Sequence, residues 1–339
     1  MPELLVEVTR GDRVESMHYG CLAVADPQGR LQAFLGDPET YVCLRSMAKP
    51  IQTLPVLTTG AAEAFGFGPE ELALFSGSLN GQDFQVALVQ KVLSRLGLTA
   101  DNMLCGIHAP SHRPTAQALA QAGLAPGVIH NNCAGKHAAM LALCVHQGWP
   151  TADYLDTRHP VQQLILRTIA EVTEVPAGQI TVAIDGCGAP VFFVPLSRIA
   201  LAYARFAAAA QGNLPDGPLT SAMATLARAC LAHPRLIAGD GRLCTDIMQA
   251  LPGQVIAKTG AEGGYALALM EAGWGVAIKV SDGHVRGLNP TAIETLQQLE
   301  VLTPEAAAAL AKYHLPAIKN HRQETVGQVR PVFRLAKTG

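Results

Sequence analysis

The sequence predicts an α/β protein of the α+β kind, with one antiparallel sheet built from both ends of the chain and a helical subdomain between them. Two observations predict it. Short apolar segments of strand length gather near the two ends, at about residues 4–35 and 254–280, whereas helix-period apolar positions and helix stops fill the middle. A sheet subdomain over about 1–45 and 254–339 and a helical subdomain over about 46–253 follow, within a single composite domain of 339 residues. The crevice between the subdomains is the expected place for a site.

Taking the elements in order, Leu4 to Thr9, Met17 to Ala25 and Leu31 to Leu35 are joined around Gly11-Asp12 and Asp26-Pro27-Gln28-Gly29, which reads as an antiparallel meander. Pro50 to Thr59 reads as a helix bent at Pro55 and ended by Gly60. Asp83 to Leu96 repeats apolar residues on one face, with Asp83 as its cap and Gly97 as its stop. Helices follow at Ala138 to His146, Val161 to Val172 and Leu196 to Ala210, with a strand at Thr181 to Ala183. Strands return at Gln254 to Lys258, Tyr265 to Met270 and Trp274 to Val280, the last with clean alternation, before a helix at about Pro290 to Leu299 capped by Asn289.

Composition narrows the function. Hydrophobic residues make up 49% of the chain, enough for a large core, while charged residues are only 15%. The net charge of −2 comes from scattered side chains, so the basic footprint of a nucleic-acid binder is missing. The first residues carry acids where an export signal needs bases, and no apolar run of membrane-spanning length follows. The expectation is a soluble, cytoplasmic protein whose partners exclude nucleic acid and membrane. Eight cysteines in such a chain read as buried thiols, metal ligands or catalytic groups rather than disulfides.

The chemistry centres on Arg45-Ser46-Met47-Ala48-Lys49-Pro50, where a serine and a lysine stand three positions apart at a helix start. A neutral Lys49 amine can take the Ser46 proton as Ser46 attacks a carbonyl. Alone, the same pattern also describes a capping serine with a solvated lysine. Far downstream, Lys258-Thr259-Gly260 closes a strand, and Ser76-Gly77-Ser78 lies between the two. That order of motifs is the one found in serine β-lactamases and penicillin-binding proteins. A lysine base must be neutral near pH 7, roughly three units below its ordinary pKa, and repulsion between Lys49 and Lys258 with partial burial acts in that direction.

Further segments extend the pattern: Asn132-Cys133-Ala134-Gly135-Lys136-His137, Asp185-Gly186-Cys187-Gly188-Ala189-Pro190 and Lys258-Thr259-Gly260-Ala261-Glu262-Gly263. With these the chain resembles, over nearly its whole length, bacterial L-asparaginases of the Rhizobium etli type, which have a serine β-lactamase-like fold. The resemblance implies two catalytic pairs, Ser46 with Lys49 and Ser78 with Lys258. It implies zinc held by Cys133, Lys136 and Cys187, and a homodimer. It places Arg45, Asp185, Asn132 and Gly260 beside the substrate. His130 is the expected substitute ligand should Lys136 not serve. The family pattern Ser-His-Ser-Gly-Glu is replaced here by Ser76-Gly77-Ser78-Leu79-Asn80, which leaves the local geometry and the choice of amide open.

The reading is therefore an amidohydrolase releasing ammonia and L-aspartate from L-asparagine through a serine acyl-enzyme. A penicillin-recognising hydrolase and a non-catalytic zinc- or amino-acid-binding protein on the same fold are its rivals. Nitrocefin turnover separates the first, and ammonia release from asparagine the second.

Overall fold

The computed structural model describes residues 1–338, and its fold is α+β. The strands are β1 (Glu3–Arg10), β2 (Arg13–Ala25), β3 (Leu31–Leu35), β4 (Tyr41–Cys43), β5 (Thr181–Ile184) and β6 (Pro190–Pro195). They continue with β7 (Val255–Gly260), β8 (Gly264–Leu269), β9 (Trp274–Val280), β10 (Ala317–Lys319), β11 (Thr325–Pro331) and β12 (Ala336–Lys337). The chain divides into a sheet unit, made of Met1–Met47, Val194–Ala207 and Asp246 onward, and a helical unit, made of Ala48–Phe193 and Ala208–Thr245.

In the sheet unit the order is β10-β11-β1-β2-β9-β8-β7, and β3 joins both β2 and β12. The pairings among β1, β2, β7, β8, β9 and β11 are antiparallel, so both ends of the chain meet in one sheet. Its two faces differ in side-chain size because the register sorts them. Ala266, Ala268, Gly275 and Ala277 share one face, while Tyr265, Leu267, Val276 and Ile278 share the other. The small face admits the helix Leu196–Ala210 closely: a Cβ on Gly275 would stand 1.9 Å from the Ala200 carbonyl oxygen. Helix Val285–Gln298 covers the bulky face.

This last helix starts earlier than the sequence implies. Asn289-Pro290 reads as a cap and first turn, yet His284 is the N-cap, its Nδ1 accepting from the Arg286 N–H at 3.0 Å, and Pro290 lies inside. Asp83 likewise is the first residue of helix Asp83–Arg95, with Gln82 at the cap position.

The helical unit is organised around helix Lys49–Thr58, which packs on helices Pro69–Ser76, Ala134–Gln147, Pro160–Thr173 and Pro218–Ala232. Every residue from Lys49 to Val56 is buried, so this helix has no wet face along those turns. Pro50 falls in its first turn, where a missing N–H costs least, and Pro55 lies within it. Gly135 lets helix Ala134–Gln147 touch helix Pro69–Ser76, since a Cβ there would stand 2.2 Å from the Leu74 carbonyl oxygen.

Candidate active site

In the helical unit, the central helix brings Lys49 into a fully buried position. Its Nζ donates to Ser78 Oγ at 3.0 Å and to the Asn132 carbonyl at 2.9 Å. Burial lowers the Lys49 pKa, with the Lys136 charge acting the same way and Cys133 and Cys187 opposing it. The repelling neighbour identified in the helical unit is thus Lys136.

Ser78 is held by its backbone as well as by Lys49. Its N–H donates to the Ile237 carbonyl at 2.7 Å, Leu79 N–H reaches Asn132 O at 3.0 Å, and Asn80 N–H reaches Gln85 Oε1 at 3.0 Å. Gly77 is required here because a Cβ would stand 2.3 Å from Leu236 O. Ser76 faces elsewhere, its hydroxyl bonded to Thr53 Oγ1 and the Leu72 carbonyl. The atypical segment around the middle serine therefore has a defined set of partners of its own.

Helix Ala134–Gln147 and the turn between β5 and β6 supply a second cluster. Ligand-capable atoms of Cys133, Asp185 and Cys187 lie within 4.8 Å of one another. Lys136 Nζ is 3.2 Å from Cys187 Sγ and 3.8 Å from Asp185 Oδ2. A hydrogen bond from Cys187 pulls the Cys133 pKa well below the ordinary thiol value against the effect of burial, and Lys49 and Lys136 add to it. The same bond, with burial, raises Cys187. For Lys136, burial alone would lower the pKa, but Cys133, Cys187 and Asp185 together carry it above the usual lysine value.

Two soft sulfur donors, a carboxylate and an amine form a donor set suited to zinc. Binding requires Cys187 and Lys136 to give up protons, which a divalent cation would drive. Asp185, read from the sequence as a substrate contact, falls among these donors. His130 does not: its Nδ1 is turned to Gly127, at 3.0 Å from the backbone N–H. His137 is buried with Nδ1 2.7 Å from the Tyr154 hydroxyl, and burial holds it neutral.

The sheet unit carries the remaining candidates. Ser46 lies in a 3-10 turn, Arg45–Ala48, that Arg45 enters at φ 43°, and the Tyr203 hydroxyl holds this turn by donating to Met47 O at 2.9 Å. No sequence pattern pointed to Tyr203. Lys258 on β7 is buried, with Nζ donating to Thr259 O at 3.1 Å. Gly260 pairs with Gly264 across β7 and β8, and Met47 rests on both: a Cβ on either would come within 3.1 Å of its side chain.

The family model described as L-asparaginase II matches residues 6–331. The chain belongs to that family. Family membership makes it an amidohydrolase with a small-molecule amide as its class of substrate. No curated protein matches it. Among solved structures, a β-lactamase from Mycobacterium bovis is similar at 14% identity and a TM-score of 0.36, over 87% of this chain and 95% of that one. Among the described residues, no helix is long and apolar enough to cross a membrane.

Proposed function

We propose that the chain hydrolyses the side-chain amide of L-asparagine to L-aspartate and ammonia through a serine acyl-enzyme, as in the Rhizobium etli type. In this reading Ser46 attacks the amide carbonyl and passes its proton to Lys49, three residues on. Ser78 and Lys258 move protons to the departing ammonia and from the incoming water. Backbone donors near Ser46 and after Lys258 stabilise the oxyanion. Arg45, Asn132 and Gly260 position the substrate.

The observation that carries the reading is the buried Lys49, whose pKa burial lowers and whose Nζ donates at 3.0 Å to Ser78 Oγ, a bond that links the lysine of one pair to the serine of the other. A buried ammonium is costly, so this site favours the neutral amine that a base must be. Zinc held by Cys133, Cys187, Lys136 and Asp185 belongs to the same proposal. When bound it supplies positive charge that lowers the pKa of nearby groups. Elemental analysis of protein purified without added metal is expected to give one zinc per chain, and fully active protein free of metal would remove zinc from the reading.

The test of the function is ammonia release from L-asparagine by wild type and Ser46→Ala. The variant is expected to keep its circular dichroism spectrum and lose essentially all turnover. A variant retaining more than about a few per cent of the rate would remove Ser46 as the nucleophile.

A further inference from the structure

Lys279 on β9 has no part in the motifs that point to the site, yet strand register brings it to the same face of the sheet. Lys279 pairs with Gly264, which pairs with Gly260, while Lys258 pairs with Ala266, which pairs with Ala277. Side chains directly opposite in an antiparallel pair share a face, so Lys258 and Lys279 project to one side. They stand two strands apart and two residues out of step, about 12 Å between Cα atoms by ordinary strand spacing. Between them Gly260 and Gly264 offer no side chains. Met47, the neighbour of Ser46, occupies that floor.

Lys279 makes no close ion pair with a carboxylate among the described residues, although the charges of Glu262 and, more weakly, Asp282 act on it. Its Nζ donates to the Glu262 carbonyl, in the turn after Lys258-Thr259-Gly260, and makes no other hydrogen bond or ion pair among the described residues. The neighbouring acid Asp282 has both oxygens engaged, Oδ2 with His18 Nδ1 at 2.6 Å and Oδ1 with the His284 N–H at 3.0 Å. Burial lowers the Lys279 pKa; Glu262, Cys43 and Asp282 oppose it, and Arg45 acts with burial as the weakest of the four charges. Lys279 is half-buried, and its ammonium has two donor hydrogens beyond the one given to Glu262, so it has the capacity to take a further acceptor such as an anion.

We propose that Lys279 receives the α-carboxylate of the amide substrate, so that it both steadies the turn through Glu262 and selects amides that carry a carboxylate. This rests on the asparaginase reading. Asparagine offers one carboxylate, and a lysine donor on it forms a charge-assisted hydrogen bond.

The test compares ligands with and without that carboxylate, in wild type and in Lys279→Met, Lys279→Gln and Lys279→Arg. Calorimetric titration with L-aspartate and with β-alanine, which is aspartate without its α-carboxylate, reads binding directly. Lys279→Met is expected to weaken L-aspartate about 10- to 100-fold and β-alanine less than about threefold, with Lys279→Arg recovering most of the loss. In turnover the loss should fall on KM for L-asparagine and spare 3-aminopropanamide. Should Lys279→Met not fold, Lys279→Gln makes the same comparison. Equal losses for both ligands, no loss, or a wild type that binds neither would overturn the proposal. A wild type that binds aspartate but releases no ammonia would overturn the hydrolytic reading, and the aspartate and β-alanine titrations would still decide the role of Lys279.

Discussion

Ser76 and Ser78 are two residues apart and meet different fates, because the backbone between them turns at Gly77 against Leu236 O. Ser76 Oγ is satisfied by Leu72 O at 3.2 Å within its own helix and by Thr53 Oγ1 at 3.3 Å, and the second bond ties helix Pro69–Ser76 to helix Lys49–Thr58. Ser78 Oγ accepts from the buried Lys49 amine. The two alanine variants should therefore separate. Ser76→Ala is expected to cost about 1 kcal/mol in urea denaturation and leave ammonia release within about threefold of wild type. Ser78→Ala should lower the rate at least about 100-fold, the scale of a lost proton-transfer partner. Equal activity in the two variants would mean that the Lys49–Ser78 bond has no part in the chemistry. The family resemblance selected Ser78 over Ser76 and paired it with Lys258, but no local pattern could show its bond to Lys49, 29 residues away, which needs helices Lys49–Thr58 and Pro69–Ser76 to pack. The same holds for Asp185, which reaches the thiols through a turn whose path no local pattern specifies.

At the scale of elements, legibility followed the strength of the local signal. Trp274–Val280 and Leu31–Leu35 were readable to the residue because Gly- and Asp-containing turns bound these short apolar runs. Leu196–Ala210 was equally clear as a helix, but its residues as far as Ala207 belong to the sheet unit, and helical periodicity carries no information about which surface a helix will cover. Strands β10, β11 and β12 escaped notice: they are short or interrupted by Gly327, and their frame is supplied by partners far away in sequence. Pro290 misled because proline usually opens a helix, whereas here the helix tolerates it inside. Gly275 tests how tightly helix and sheet are joined. A Cβ there would stand 1.9 Å from Ala200 O and 2.3 Å from Ala204 N, both backbone atoms that cannot rotate away. Gly275→Ala should lower stability by about 2–3 kcal/mol in urea, while Gly178→Ala, where nothing lies within 4 Å, should be nearly neutral. A loss below about 0.5 kcal/mol at Gly275 would show that the helix moves aside at little cost.

For the whole molecule, stability against acid depends on carboxylates that the fold holds ionised. Glu294 joins helix Val285–Gln298 to helix Pro304–His314, its Oε2 standing 2.7 Å from His314 Nε2 and its Oε1 accepting from Gln298 Nε2 at 2.7 Å. The bond to His314 is the chief cause of a Glu294 pKa below the ordinary glutamate value, with burial opposing it. A carboxyl with a depressed folded pKa stabilises the native state fully above its unfolded pKa, and that contribution disappears as pH falls through the folded value. Glu294→Gln imitates the protonated acid and so removes the contribution at every pH. At pH 6 the variant should be less stable than wild type by about 0.5–1.5 kcal/mol in urea. The gap should close as the pH is lowered beneath about 4, where the wild-type carboxyl becomes protonated too. A difference that stays constant down to pH 3 would assign the effect to altered packing of the two helices, and the acid sensitivity of the sheet unit would then have to come from other carboxylates.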